Sequence, residues 1–136
     1  MSESHRRFHL TVLPGSFALV RLAADAPLPS WAMHGEFFSV TRTGDELSNV
    51  CLARQVPADV AAETGWRALK VQGPFALTEI GVLAVLAGAL AKAKVSLFAI
   101  STFDTDYLLV SETQLDGAIA ALRGAGHGIE QSSAAF

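Results

Sequence analysis

Period-two and period-three-to-four patterns of apolar residues alternate along this chain, separated by turn residues. Phe8–Val12 is a β-branched and aromatic run that stops at Pro14-Gly15 and resumes at Phe17–Leu22. Proline followed by glycine suits the centre of a type II turn, so the stretch reads as a hairpin or as one strand with a sharp corner. Pro27 and Pro29 exclude a regular helix until about Ser30, and Ser30–His34 could then form one helical turn with Ser30 as its cap. Glu36–Thr43 and Leu47–Arg54 flank Thr43-Gly44-Asp45-Glu46, a hairpin signature. In the first of these strands Phe38 and Val40 share a face, while Phe37 falls on the other. Pro57–Thr64 reads as a short helix, with proline at its start, alanines within and Gly65 just after its end. Trp66–Gln72 alternates as a strand, which Gly73-Pro74 ends.

The stretch Gly73–Ser111 organises the second half. Thr78 is placed to cap a helix whose Ile80, Leu83, Leu86 and Leu90 form a stripe, widened by Val82, Val85 and Ala89. Gly81, Ala84, Ala87, Gly88 and Ala91 are small enough to let another element approach closely, and Lys92 and Lys94 suit a helix C-terminus. Strand Ser96–Ser101 follows, then the turn Phe103-Asp104-Thr105-Asp106 and a returning strand Tyr107–Ser111. Thr113 then caps a helix with Leu115, Ala118, Ile119 and Leu122 on one face, closed by Gly124. His127–Gln131 is the expected last strand and Ser132–Phe136 a loose tail.

From Trp66 the order is strand, helix, strand, strand, helix, strand, the split βαβ or ferredoxin-like arrangement. The first half repeats it at a spacing of roughly 60–65 residues with a stunted first helix, which points to internal duplication. The expected fold is therefore α+β: two tandem ferredoxin-like (βαββαβ) modules, residues 1–64 and 65–131, that can share or exchange the central strand.

Composition narrows the function classes. Hydrophobic residues make up 51% of the 136 and charged residues 17%, enough for a core and contrary to disorder. A formal net charge of −3 offers no broad attraction to nucleic acid or anionic lipid. His5, Arg6 and Arg7 make a small basic start that reads as a solvated terminus. The lone Cys51 has no internal disulfide partner, and the N-terminus lacks the apolar core of a secretory signal, so the expected compartment is the cytoplasm. The longest nearly unbroken apolar run, Ile80–Ala91, has 12 residues, against the roughly 20 of a membrane span.

Candidate chemistry is sparse. The four histidines do not fall at metal-ligand spacings, so neither a metal nor a cofactor is expected. Cys51 lies within an apolar strand, as a small hydrophobe does. Gly124-Ala125-Gly126-His127-Gly128 follows a helix instead of opening one, which favours a helix stop over a phosphate cradle. Asp104 and Asp106 can serve the turn itself, or Asp104 can receive a ligand's amino group. Glu79 can likewise favour the helix dipole or contact a ligand. Free amides at Thr78–Gly81 would suit a carboxylate, and the split βαβ order brings that turn near Thr102–Asp106.

Thr78-Glu79-Ile80-Gly81-Val82-Leu83-Ala84, then Val95–Val110 with its Ser-Thr-Phe-Asp-Thr-Asp-Tyr run, resembles the small bacterial ACT-domain proteins. These are related to the ACT domains of aspartate kinase and to the animal cytosolic arginine sensor. Phe37-Phe38-Ser39-Val40-Thr41 resembles that family's N-terminal module, so the likeness spans about residues 8–130. The resemblance implies tandem ACT modules that bind amino acids at a module interface, dimerise and perform no catalysis of their own. By position it implies ligand contacts from Glu79, Ile80, Gly81 and Val82 before and at the helix start, and from Thr102, Phe103 and Asp104 beyond the strand. Many relatives carry a serine one turn into this helix, where this chain has Val85. Two readings follow: a regulatory amino-acid-binding module, or an assembly module with a vestigial ligand site.

Overall fold

The computed structural model describes residues 6–76 and 78–131. His5 and the expected tail Ser132–Phe136 lie outside the described residues. The elements run β1 (His9–Val12), β2 (Phe17–Leu22), β3 (Ser39–Arg42), β4 (Leu47–Leu52), β5 (Glu63–Val71), α1 (Val82–Lys92), β6 (Phe98–Ser101), β7 (Asp106–Ser111), α2 (Leu115–Gly124) and β8 (Gly128–Gln131). They form two compact units, residues 15–66 and residues 6–14 with 67–131. The expected modules divide the chain in sequence order; the compact units do not, because β1 joins the sheet of the C-terminal half.

In the first unit the strand order is β3-β4-β2-β5, the ferredoxin order. β2 pairs with β4 along its whole length, antiparallel, from Phe17 opposite Leu52 to Leu22 opposite Leu47. The helical segments shrink to 3-10 turns at Ser30–Ala32 and Ala53–Gln55. Pro29, not Ser30, precedes the first turn, and no side chain caps it. The helix expected at Pro57–Thr64 is absent. A single turn closes from Val60 N–H to the Pro57 carbonyl, and Glu63 already belongs to β5. Gly65, expected to end that helix, has φ +82 and sits where the β2–β5 register shifts. Left-handed glycine is what a strand bulge requires. The turn residues thus encode a bulged strand, and the alanines before it lack an apolar helical stripe to bury. Of the aromatic pair, Phe37 is buried with its ring edge-on to Phe17, whereas Phe38 is exposed. Phe37 precedes the strand, so strand alternation does not govern it. Cys51 is buried in β4, and burial pushes its thiol pKa up.

In the second unit the order is β6-β7-β5-β1-β8. A simple ferredoxin-like module sets its last strand beside its first. Here β1 lies between them, antiparallel to β5 with Leu10 opposite Val71, and parallel to β8 with Leu10 opposite Ile129. This is the form that strand exchange takes, and it makes Phe8–Leu22 a run with a corner instead of a hairpin. Leu10, Val12, Leu69, Val71, Leu108, Val110 and Ile129 pack against Val82, Leu86 and Leu90 of α1 and Leu115, Ala118, Ile119 and Leu122 of α2. The α2 face is the expected one. Its start differs: Gln114 precedes the helix without a side-chain cap, and Thr113 lies in a 3-10 turn, within hydrogen-bond distance of the Ser111 hydroxyl. The α1 stripe shifts as well. Thr78 lies in a turn and does not cap, Gly81 precedes the first helical residue, and Ile80 is 83% exposed. Val82, Leu86 and Leu90 form the buried row, spaced four apart as one helix face requires.

The start of β1 is fixed by His127. The Phe8 N–H donates to its Nδ1 at 3.0 Å, and the Gly128 N–H donates to the Phe8 carbonyl at 2.9 Å. The two rings stack at 5.6 Å, and Phe75 meets Phe8 edge-on at 5.9 Å. His127 is 4% exposed, and burial lowers its pKa.

Two outcomes are expected. Leu86→Ala should cost about 2–5 kcal/mol, since Leu86 is fully buried; urea unfolding reads this directly. The His127 folded pKa lies below its ordinary 6.5, so below about pH 6.5 the unfolded chain binds the extra proton first. Stability from this group is therefore complete above that pH and falls as pH drops, by up to about 1.4 kcal/mol per unit until the folded pKa is passed. Urea midpoints across that range should show the fall, and His127→Gln should remove it.

Candidate functional site

Two turns of the second unit converge on one side of α1. The first is the approach to the helix. The Glu79 N–H closes a turn on the Ala76 carbonyl, and Gly81 then adopts φ +84, ψ 5, a left-handed conformation that glycine takes without strain. The first helical bond runs from the Val85 N–H to the Gly81 carbonyl. The N–H groups of Val82, Leu83 and Ala84 precede it, and no side chain caps them. Four such donors are inherent to any helix start.

The second turn joins β6 to β7. The Thr102 N–H donates to the Thr105 carbonyl at 2.7 Å, and the Thr102 hydroxyl accepts from the Thr105 N–H at 3.2 Å. The Thr105 hydroxyl, buried, donates to the Val71 carbonyl at 2.7 Å. The threonines therefore carry the turn chemistry. Asp106 accepts from the Ser101 hydroxyl at 2.5 Å. Among the described residues the Asp104 carboxylate has no hydrogen-bond partner; only its backbone carbonyl is engaged, by the Phe75 N–H at 2.8 Å.

Between the turns lies a cleft of about 320 Å³. Glu79, Gly81, Val82, Thr102, Phe103 and Asp104 all line it. Ile80 does not: its side chain points to solvent, while its carbonyl accepts from Arg6. Val85 lies outside this lining too, in a groove between α1 and α2. Sequence reasoning missed Ser101, Thr105 and Phe75, which also line the cleft. The two hydroxyl residues adjoin the expected contacts, and the threonine spacing of three is a turn signal that was available.

Arg6 was also missed. Its guanidinium donates to Glu79 Oε2 at 2.6 Å and to the Ile80 carbonyl, and its Cζ lies 5.0 Å from the Phe8 ring centroid. A contact across 73 residues leaves no local signal. The pair neutralises Glu79, so Asp104 is the carboxylate of the lining left unpartnered. No set of three His, Cys, Asp or Glu residues among the described residues could hold a metal ion, and no helix among them is long and apolar enough to cross a membrane.

The strand order in both units, with the helix-start cleft in the second, defines a protein of the tandem ferredoxin-like class. Residues 61–124 match the ACT domain family, and residues 15–59 match a second family, described as an N-terminal domain. A solved protein from Agobacterium tumefaciens is 40% identical with a TM-score of 0.89, covering 96% of this chain and 98% of that one. Over 59 residues, 43% of this chain, the sequence is 39% identical to subunit 1 of the human cytosolic arginine sensor for mTORC1. The match takes in only 18% of that sensor's length. The regulatory subunit of aspartate kinase from Thermus thermophilus shares the fold at a TM-score of 0.55 and 12% identity, covering 82% of this chain and 91% of that one. This chain belongs to the ACT-domain family.

The β6–β7 turn is packed hard against the strand end before it. A Cβ on Gly73 would lie 2.9 Å from the Asp104 carbonyl oxygen and 3.2 Å from the Thr105 Cβ. Gly73→Ala should therefore destabilise by about 1–3 kcal/mol. Thr105→Val, which leaves the buried Val71 carbonyl without this donor, should cost a similar amount, about 1–3 kcal/mol. Denaturant midpoints measure both.

Proposed function

We propose that this protein is a non-catalytic regulatory module that binds an amino acid in the cleft between the α1 start and the β6–β7 turn. The carrying observation is the pairing of complementary groups across that cleft: uncapped N–H groups at Val82–Ala84 and the unpartnered carboxylate of Asp104. Helix-start amides and the helix dipole favour a carboxylate; Asp104 favours an ammonium. The lining carries Glu79, Asp104 and Asp106 and no lysine or arginine, so a zwitterionic or cationic amino acid suits it better than an acidic one. The volume suits a small ligand, at the lower end of the ~300–1,000 Å³ usual for such sites. The similarity to a protein named as an arginine sensor supports the same class of ligand.

The ligand contacts assigned here are Glu79, Gly81, Val82, Thr102, Phe103 and Asp104, with Ile80 at the rim. Ile80 and Phe103 are 83% and 76% exposed. Two large apolar side chains open to water beside a cleft suit a site that a second copy covers, hence a cytoplasmic homodimer with ligand at a module interface. They equally favour the second reading, an assembly module that uses this rim without ligand. The chemistry is recognition, with no cofactor: Ser101 and the threonines are engaged in the turn.

A thermal-shift screen against the twenty amino acids should identify a stabilising ligand, since saturation at 100 times Kd adds about 2.7 kcal/mol. Asp104→Ala should abolish that shift. No stabilisation at millimolar concentration would leave the assembly reading. Light scattering should give twice the mass of one chain, and Ile80→Asp with Phe103→Asp should halve it.

A further inference from the structure

We infer that Arg6 sets the side-chain specificity of the amino-acid cleft: its guanidinium fills the cation place at Glu79, so the ligand is an amino acid with an uncharged, apolar side chain. This rests on the amino-acid reading above and narrows it from zwitterionic or cationic ligands to one class.

Arg6 is held at the edge of the cleft. One arm of the guanidinium donates to Glu79 Oε2 at 2.6 Å and the other to the Ile80 carbonyl. The group also lies against Gly81, where a Cβ would stand 3.4 Å from Nη1. Glu79 and Gly81 both line the cleft. On another side is the Phe8 ring, its centroid 5.0 Å from Cζ, and Phe8 is itself fixed by its stack on His127. A guanidinium shared by a carboxylate, a carbonyl and an aromatic face has the contacts that a cationic ligand side chain would seek. Here a residue of the chain itself has taken them.

The rest of the lining points the same way. With the ligand's carboxylate on the Val82–Ala84 amides and its ammonium on Asp104, Asp106 is the carboxylate left for a second cation. Its Oδ1 already accepts from the Ser101 hydroxyl at 2.5 Å. Phe75, Val82, Leu83 and Phe103 supply apolar surface, and an apolar side chain gains there by leaving water, with no partner required. A cationic side chain would have to displace Arg6 to reach Glu79, or be buried without a partner, which is costly. The Arg6–Glu79 pair is partly exposed, with side chains 27% and 39% accessible, so displacement is possible and the discrimination is moderate.

Calorimetric titration of the full chain with leucine, methionine and phenylalanine, against arginine and lysine, tests this. The parent should bind the best of the apolar amino acids more tightly than either cationic one. Arg6→Gln should tighten arginine and lysine about fivefold and leave the apolar ligands unchanged. A merely structural role would move both classes alike, so the ratio of the two affinities isolates specificity. Arg6→Lys, which keeps the charge, should keep the parent's order of preference. Adding Glu79→Gln to Arg6→Gln should erase the gain. A parent that prefers arginine or lysine would overturn the inference. So would an Arg6→Gln variant with the parent's ratio, or a gain that survives loss of the Glu79 charge. In each of those cases the cleft still binds amino acids and Asp104→Ala still abolishes binding, so the amino-acid reading stands. Binding of no amino acid, by parent or variant, overturns that reading and this inference with it.

Discussion

The second unit depends on four residues, His9–Val12, held between two strands that would otherwise be neighbours. β1 supplies Leu10 and Val12 to the core and gives both β5 and β8 a hydrogen-bonding partner. Its position is over-determined: ladder bonds on both sides, the Phe8–His127 pair at one end, and the Leu13 N–H donating to the Ala68 carbonyl at the other. Because β1 is fixed, Phe8 can back Phe75, and Arg6 can reach Glu79 and Ile80. The cleft is thus braced by residues far from it in sequence. Loss of the bracing would leave its lining residues present but their turn unsupported.

The cleft's chemistry is divided between backbone and side chain. Hydrogen-bond donors for an anion come from the backbone at the helix start and owe nothing to side-chain identity beyond the left-handed Gly81. Acceptors for a cation come from side chains, and the neighbouring interactions determine which are available: Arg6 engages Glu79, Ser101 engages Asp106, and Asp104 remains. Such an arrangement keeps the backbone donors constant while side-chain changes retune the rest. The salt bridge is half-exposed, so its contribution is orientation more than stability.

The element order of the C-terminal half, the α2 face and the placement of six of the seven expected contact residues along one cleft were legible in sequence. Local pattern carries all of these: alternation, a three-to-four spacing, and turn residues between them. What was illegible depends on distant contacts. Phe37 against Phe38 is decided by Phe17, and Gly65 by the shift in register against β2. Thr78 and Thr113 both satisfy a capping pattern, yet both helices start later, where Val82 and Leu115 first reach the core. Burial outweighed the cap signal. Arg6 looked like a solvated terminus because its partner lies 73 residues on.

The inserted strand also sets an order of events for a chain emerging from the ribosome. Phe8 and His127 are separated by 119 positions, so β1 exists long before the strand that flanks it on one side. β2, β3 and β4 find their ladder partners within residues 15–66 and can close first, whereas β1 must wait for β8. Contacts this distant in sequence are slow to form, and an unpaired strand edge is prone to the wrong partner while it waits. During synthesis, then, the vulnerable part of this protein is β1, made long before β8.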